Sequence, residues 1–156
     1  MPNSRRTISV RDALASGVMA TFAVSVIMVM KNATHSVPEV HIAQTLATLV
    51  GSQHVLVGWA IHLFIGIVVW SLSFALLAPR LPTGSYLIKG MMFGALAWVA
   101  MMLLYMPLAG AGLFGLHRGT AVPIMTLVMH LVYGVVLGSV YSMGIQPSRT
   151  TSGSRA

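Results

Sequence analysis

The chain has 156 residues, 56% of them hydrophobic and only 7% charged, where a soluble domain carries roughly a quarter charged residues. That composition excludes an ordinary soluble globular domain, and the lack of cysteine excludes disulfides, thiolate metal sites, iron–sulfur clusters and cysteine nucleophiles. Nine Lys and Arg against two acids give a formal charge of +7, but the basic residues border apolar runs, a pattern that orients a membrane protein and does not read nucleic acid.

Residues 1–12 form a basic tail in which Ser4-Arg5-Arg6-Thr7 has the outline of a twin-arginine signal. The run that follows, from about Ala13 to Met30, is too long for a signal-peptide core, and no small-residue cleavage site precedes Lys31. It is read as an uncleaved first span. Next, Ile42, Leu46, Leu49 and Val50 recur at helical spacing after Ser36-x-Pro38-Glu39 and before Gly51. This predicts an outer interfacial helix over about 37–50, with Glu39 and Ser36 in a capping box and the apolar stripe on lipid or on the bundle. The second span runs from Val55 to Ala78, Pro82-Thr83-Gly84 is a tight turn, and the third span runs from Tyr86 to Ala109. A fourth span from Ala121 to Met143 follows the glycine-rich stretch Pro107 to Gly115, and the tail 145–156 offers nothing to bury and is expected to be disordered. At roughly 1.5 Å per residue each run can cross a bilayer.

Four spans put both termini on one side. Arg5, Arg6, Arg11, Arg80, Lys89, Arg149 and Arg155 fall on that side, Lys31 and Arg118 on the other. The excess places both tails in the cytoplasm of a bacterium and the protein in its inner membrane.

The halves of the chain resemble each other. His62-Leu63-Phe64-Ile65-Gly66-Ile67-Val68 matches His130-Leu131-Val132-Tyr133-Gly134-Val135-Val136, and Gly17-Val18-Met19 more weakly matches Gly90-Met91-Met92. A duplicated two-span hairpin gives parallel repeats, so matched residues lie at matched depth. Steps of four draw one stripe through Gly58, His62, Gly66 and Trp70, a second through Gly90, Gly94, Trp98, Met102 and Met106, and a third through Thr126, His130, Gly134 and Gly138. Glycine stripes are where membrane helices touch, which places the six glycines at helix contacts and the two histidines inside the bundle.

All six histidines (His35, His41, His54, His62, His117, His130) and many of the twelve methionines fall in the outer half or outer loops. Imidazole and thioether suit Cu(I) without a thiolate, with His62, His130, Met102 and Met106 as candidate ligands. Two imidazoles at one depth would also suit haem b. Set against this, methionine packs irregular helix surfaces well, and a buried neutral histidine can simply bond a carbonyl or hydroxyl. Nucleophile elbows, phosphate loops and His-Glu-x-x-His are absent, and Asp12 and Glu39 lie at opposite faces, so no acid/base dyad and no catalytic residue is expected.

Met30-Lys31-Asn32-Ala33, Gly58-Trp59-x-x-His62, Pro79-Arg80-Leu81-Pro82, Ala97-Trp98, Pro107 to Gly115, and His130-Leu131-x-Tyr133-Gly134-x-Val136-Leu137-Gly138 together resemble a family of small, uncharacterised four-span bacterial inner-membrane proteins. More distantly, the chain is similar to the YagU-like proteins. The resemblance implies location and fold and brings no activity, substrate or cofactor.

The sequence therefore predicts an all-α polytopic membrane four-helix bundle of two parallel two-helix repeats with a short outer interfacial helix. The expected role is a non-enzymatic accessory or self-associating membrane subunit, without a cofactor, whose partners are the lipid bilayer and a membrane protein or a second copy. The alternatives are a copper- or haem-binding protein using His62 and His130, and a small permease.

Overall fold

In the bilayer core every backbone polar group must be satisfied within the segment, so long apolar runs fold as helices. The computed structural model describes residues 9–34 and 41–144, which are all-helical apart from turns and loops. The elements are α1 (Val10–Thr34), α2 (Ile42–Leu49), α3 (Val55–Arg80), α4 (Tyr86–Leu108) and α5 (Ala121–Gly144). Four of them, α1, α3, α4 and α5, are long and apolar enough to cross a membrane. Phe22, Leu56, Leu104 and Ile124 are among many large apolar side chains turned outward, as lipid contact requires.

The start of α1 lies upstream of the apolar run because Ser9 caps it, its Oγ accepting the Asp12 N–H at 3.2 Å. At the other end of the chain, Gly144 of α5 lies against Asp12, so both ends of the described bundle share one side, called here the terminal side. α2 lies on the opposite side. It follows His41 with no side-chain cap; Ser36 and Glu39, the expected capping pair, lie outside the described residues, as do the tails and His35. Its apolar residues divide: Ala43 and Ala47 are buried, Ile42 and Leu46 face the bundle interior, and Leu49 and Val50 are exposed.

Around the bundle the order is α3, α1, α5, α4. α4 and α5 touch backbone to backbone: a methyl on Gly90 would strike the Gly134 carbonyl oxygen, one on Gly134 the Gly90 carbonyl oxygen, one on Gly94 that of His130, and one on Gly138 that of Tyr86. Gly58 meets α2 at the Ala43 carbonyl, and Gly66 meets Thr21 of α1. Between α3 and α4, by contrast, the described backbones meet chiefly near Ala78–Arg80, with at most isolated approaches elsewhere. Rings bridge the rest on the terminal side, with centroids 5.9 Å apart for Trp70–Phe93 and 5.5 Å for Phe74–Phe93, and Phe74 also reaches Tyr141 of α5 at 5.5 Å.

Lys89, which at the sequence level is only a charge at a span end, turns inward. It is 8% exposed and donates from Nζ to the Ala78 carbonyl at 2.6 Å, with its ammonium 4.9 Å from the Tyr86 ring centroid. It thereby satisfies a carbonyl at the end of α3 that no further helical turn can reach.

Candidate functional site

Two helices of the bundle depart from α geometry, and both flank the loosely closed seam. In α4, Pro107 has no amide hydrogen for the Leu103 carbonyl; the turn widens to π form over Met101–Tyr105, and the Met106 N–H reaches the Met101 carbonyl. In α3 the π stretch is Ile65–Trp70. There the Ser71 hydroxyl bonds back to the Ile67 carbonyl, a side-chain bond that competes with the helical ladder. Widened turns of this kind concentrate at functional sites.

Between these helices lies a cavity of about 290 Å³ walled by all four spans and by α2. Its lining comes from Thr21, Met28 and Lys31 of α1, Ile42 and Leu46 of α2, and His62, Gly66 and Trp70 of α3, with Met101, Leu104 and Tyr105 of α4 and Met125, Met129, His130 and Tyr133 of α5. Lys31 and Leu46 mark the end beside α2, Thr21 and Tyr133 the deep end.

The polar groups are fixed in different ways. The Tyr133 hydroxyl donates to the Gly66 carbonyl at 2.6 Å, joining α5 to the π turn of α3. The His130 Nδ1 lies 2.7 Å from the Thr126 carbonyl. A carbonyl only accepts, so Nδ1 carries the proton and Nε2 of the neutral ring holds a lone pair. Thr126 is fully engaged: its hydroxyl donates to the Val122 carbonyl at 2.8 Å and its oxygen accepts from Trp98 Nε1 at 3.2 Å. His62 stands edge-on to Trp59, centroids 5.7 Å apart, with its Nε2 3.4 Å from Ser25 Oγ. Thr21 differs from all of these. It is 2% exposed, and its Oγ1 is buried without a partner at hydrogen-bond distance among the described residues, the Tyr133 hydroxyl being the polar group beside it.

Thus His62 and His130 line one cavity, while Met102 and Met106 do not join them. Both are buried in a separate cluster with Ala111 and Val122, against Trp98 and Phe114. Met28, Met101, Met125 and Met129 are the methionines at the cavity. The glycine-rich stretch after α4 covers that separate cluster: Gly112, at φ 73°, leaves room for the His117 ring, and Phe114 holds a left-handed φ of 56° with its ring 5.7 Å from that of Trp98. His54 precedes α3 in a loop, its N–H on Ser52 Oγ at 3.2 Å, and His41 lines a shallower hollow with Trp59 beside α2. Among the described residues no three His, Asp or Glu side chains gather as a metal site.

The four apolar spans and their connections fill nearly the whole length of the chain, and over that length a family model matches, at residues 8–152. The chain belongs to DUF6789, a family of unknown function. No curated protein and no solved structure matches it. In this DUF6789 chain the residue that sequence reasoning passed over is Thr21, while Trp70 and Tyr133 entered only as members of a stripe and of a matched segment. Thr21 sits one helical turn after Gly17, and Tyr133 belongs to the matched segment around His130; each carries a position signal, but neither carries a charge or a motif to mark it.

Proposed function

We propose that this integral membrane protein is a non-enzymatic binding protein that holds a small, largely apolar molecule between its spans. The observation that supports it is the cavity of about 290 Å³, apolar along its walls and polar at its deep end, near the lower end of the usual size range of ligand sites. The test is filling it: Ala97, 1% exposed and in the lining, becomes Ala97→Phe. Purified protein should carry a co-extracted apolar small molecule, found by mass spectrometry in near-equimolar amount, and the filled variant should lose it; empty wild-type protein that takes up no apolar probe sinks the reading.

Copper is the second reading, supported by the His130 Nδ1–H held on a carbonyl, the usual support of a metal-ligating imidazole, and by the thioethers of Met101, Met125 and Met129 in the same lining. These donors would hold Cu(I) and supply soft coordination. Near-equimolar copper after anaerobic loading, lost in His130→Gln, would favour it. Haem is less well supported, because bis-imidazole ligation needs the His62 Nε2 that faces Ser25. The permease reading would need a path through the terminal side, where Phe74, Phe93 and Tyr141 close the bundle. The accessory or self-associating role has no surface of its own to carry it, since the exposed apolar side chains suit lipid equally.

The charge asymmetry of the sequence supports termini in the cytoplasm and a bacterial inner membrane. Because the chain has no cysteine, Ser52→Cys and Gly84→Cys report orientation directly. An impermeant thiol reagent added to intact cells should label the first and spare the second; the reverse result would invert the topology.

A further inference from the structure

The donors and acceptors that remain after the protein has satisfied itself define what the cavity accepts. The Tyr133 hydrogen goes to the Gly66 carbonyl, that of Thr126 to the Val122 carbonyl, and the His130 Nδ1 hydrogen to the Thr126 carbonyl. Left over deepest are the His130 Nε2 lone pair and the Thr21 hydroxyl, buried beside the Tyr133 hydroxyl with no hydrogen bond of its own among the described residues; the His62 Nδ1 and the Trp70 Nε1–H, also in the lining, add one ring nitrogen and one donor. Tyr133 occupies the level of Thr21, and His130 lies one turn further toward α2, roughly 4.5 Å along the axis. A hydrocarbon would leave both groups unpaired, and an ether or ketone could take the Thr21 hydrogen but offer nothing to a lone pair. A charged ligand would meet no counter-charge at depth, since among the described residues the only formally charged one in the lining is Lys31, at the end beside α2.

Resting on the binding reading above, we propose that the ligand is a neutral, lipid-soluble hydroxyl compound, an alcohol or phenol. Its O–H donates to His130 Nε2, and the Thr21 hydroxyl is its second polar contact. It enters sideways from the bilayer between α3 and α4. Among the described residues that seam has at most isolated close backbone approaches away from Ala78–Arg80, the sparsest of the joints between neighbouring spans. Leu104 of α4 lines the cavity and is also 65% exposed, so there the lining runs out to the lipid-facing surface.

The experiment uses the full chain in nanodiscs, tritiated decanol as probe, and unlabelled decanol, its methyl ether and decane as competitors. Decanol should bind in near-equimolar amount and outcompete the ether roughly tenfold, the loss expected when a buried acceptor is left unpaired. Thr21→Val, a substitution of nearly equal shape at a hydroxyl with no protein partner, should keep the fold by circular dichroism and reduce that preference, and His130→Phe should abolish it. Equal competition by decanol and its ether overturns the hydroxyl proposal while leaving the cavity a binding site. A preference that survives unchanged in folded Thr21→Val also overturns it. If none of the three compounds binds, the cavity holds water at most, and both this proposal and the binding reading fall.

Discussion

The seams α4–α5 and α1–α3 start from similar sequence and end differently. Gly90 is followed one turn later by Gly94, and against Gly134 these let two backbones meet. Gly17 is followed one turn later by Thr21, and against Gly66, which matches Gly134 in sequence, the threonine stands between the helices: a methyl on Gly66 would strike Thr21. One side chain more separates a sealed joint from one that leaves a hydroxyl at a cavity. In lipid, where no hydrophobic gain drives helices together, closeness of backbone is itself the main stabilising contact, so a single residue in the seam decides whether space remains.

The largest effect should come from spoiling the sealed seam. Gly134→Val sets three carbons against the Gly90 carbonyl and should cost about 3 kcal/mol or more in reversible unfolding in mild detergent; a change below about 0.5 kcal/mol would mean that the α4–α5 contact is not tight. Lys89→Met comes next. It leaves the Ala78 carbonyl without its donor and should lose about 1–3 kcal/mol by the same assay, and a neutral result would show that water reaches that carbonyl. Tyr133→Phe frees the Gly66 carbonyl and should cost about 1 kcal/mol. The smallest effect sharpens the comparison most. Thr21→Gly makes the α1–α3 seam resemble α4–α5, so the helices should close in and the cavity shrink, with less apolar probe bound and stability changed by about 1 kcal/mol or less; undiminished probe binding would show that the threonine is not what holds the space open.

The spans could be read from sequence because the bilayer demands about twenty consecutive apolar residues, and Val55, Tyr86 and Ala121 begin theirs after turn residues that no helix interior favours. The presence of His62 and His130 at one cavity was also accessible, since both share stripes with glycine. The methionines were not. The stripe that begins at Gly90 stays on the α5 side, where Gly94 meets His130, Trp98 meets Thr126, and Met102 and Met106 meet Val122; Val122 is about two turns along α5 from His130, a difference in depth that a shared face does not report. The partners of Thr21 were out of reach for a different reason. Whether a hydroxyl in a membrane helix bonds back to its own carbonyl, as Thr126 does, or stays unpartnered, as Thr21 does, depends on neighbours that periodicity does not report.

The uncharged depth of the cavity has an electrical consequence. Moving one elementary charge through the membrane involves about 2.3 kcal/mol per 100 mV. Beyond Lys31 the described lining offers no formal charge to receive an ion, and a neutral guest arriving sideways from the lipid carries no net charge for that field to act on. Occupancy then follows its concentration in the bilayer, and an energised and a depolarised cell should fill the site equally.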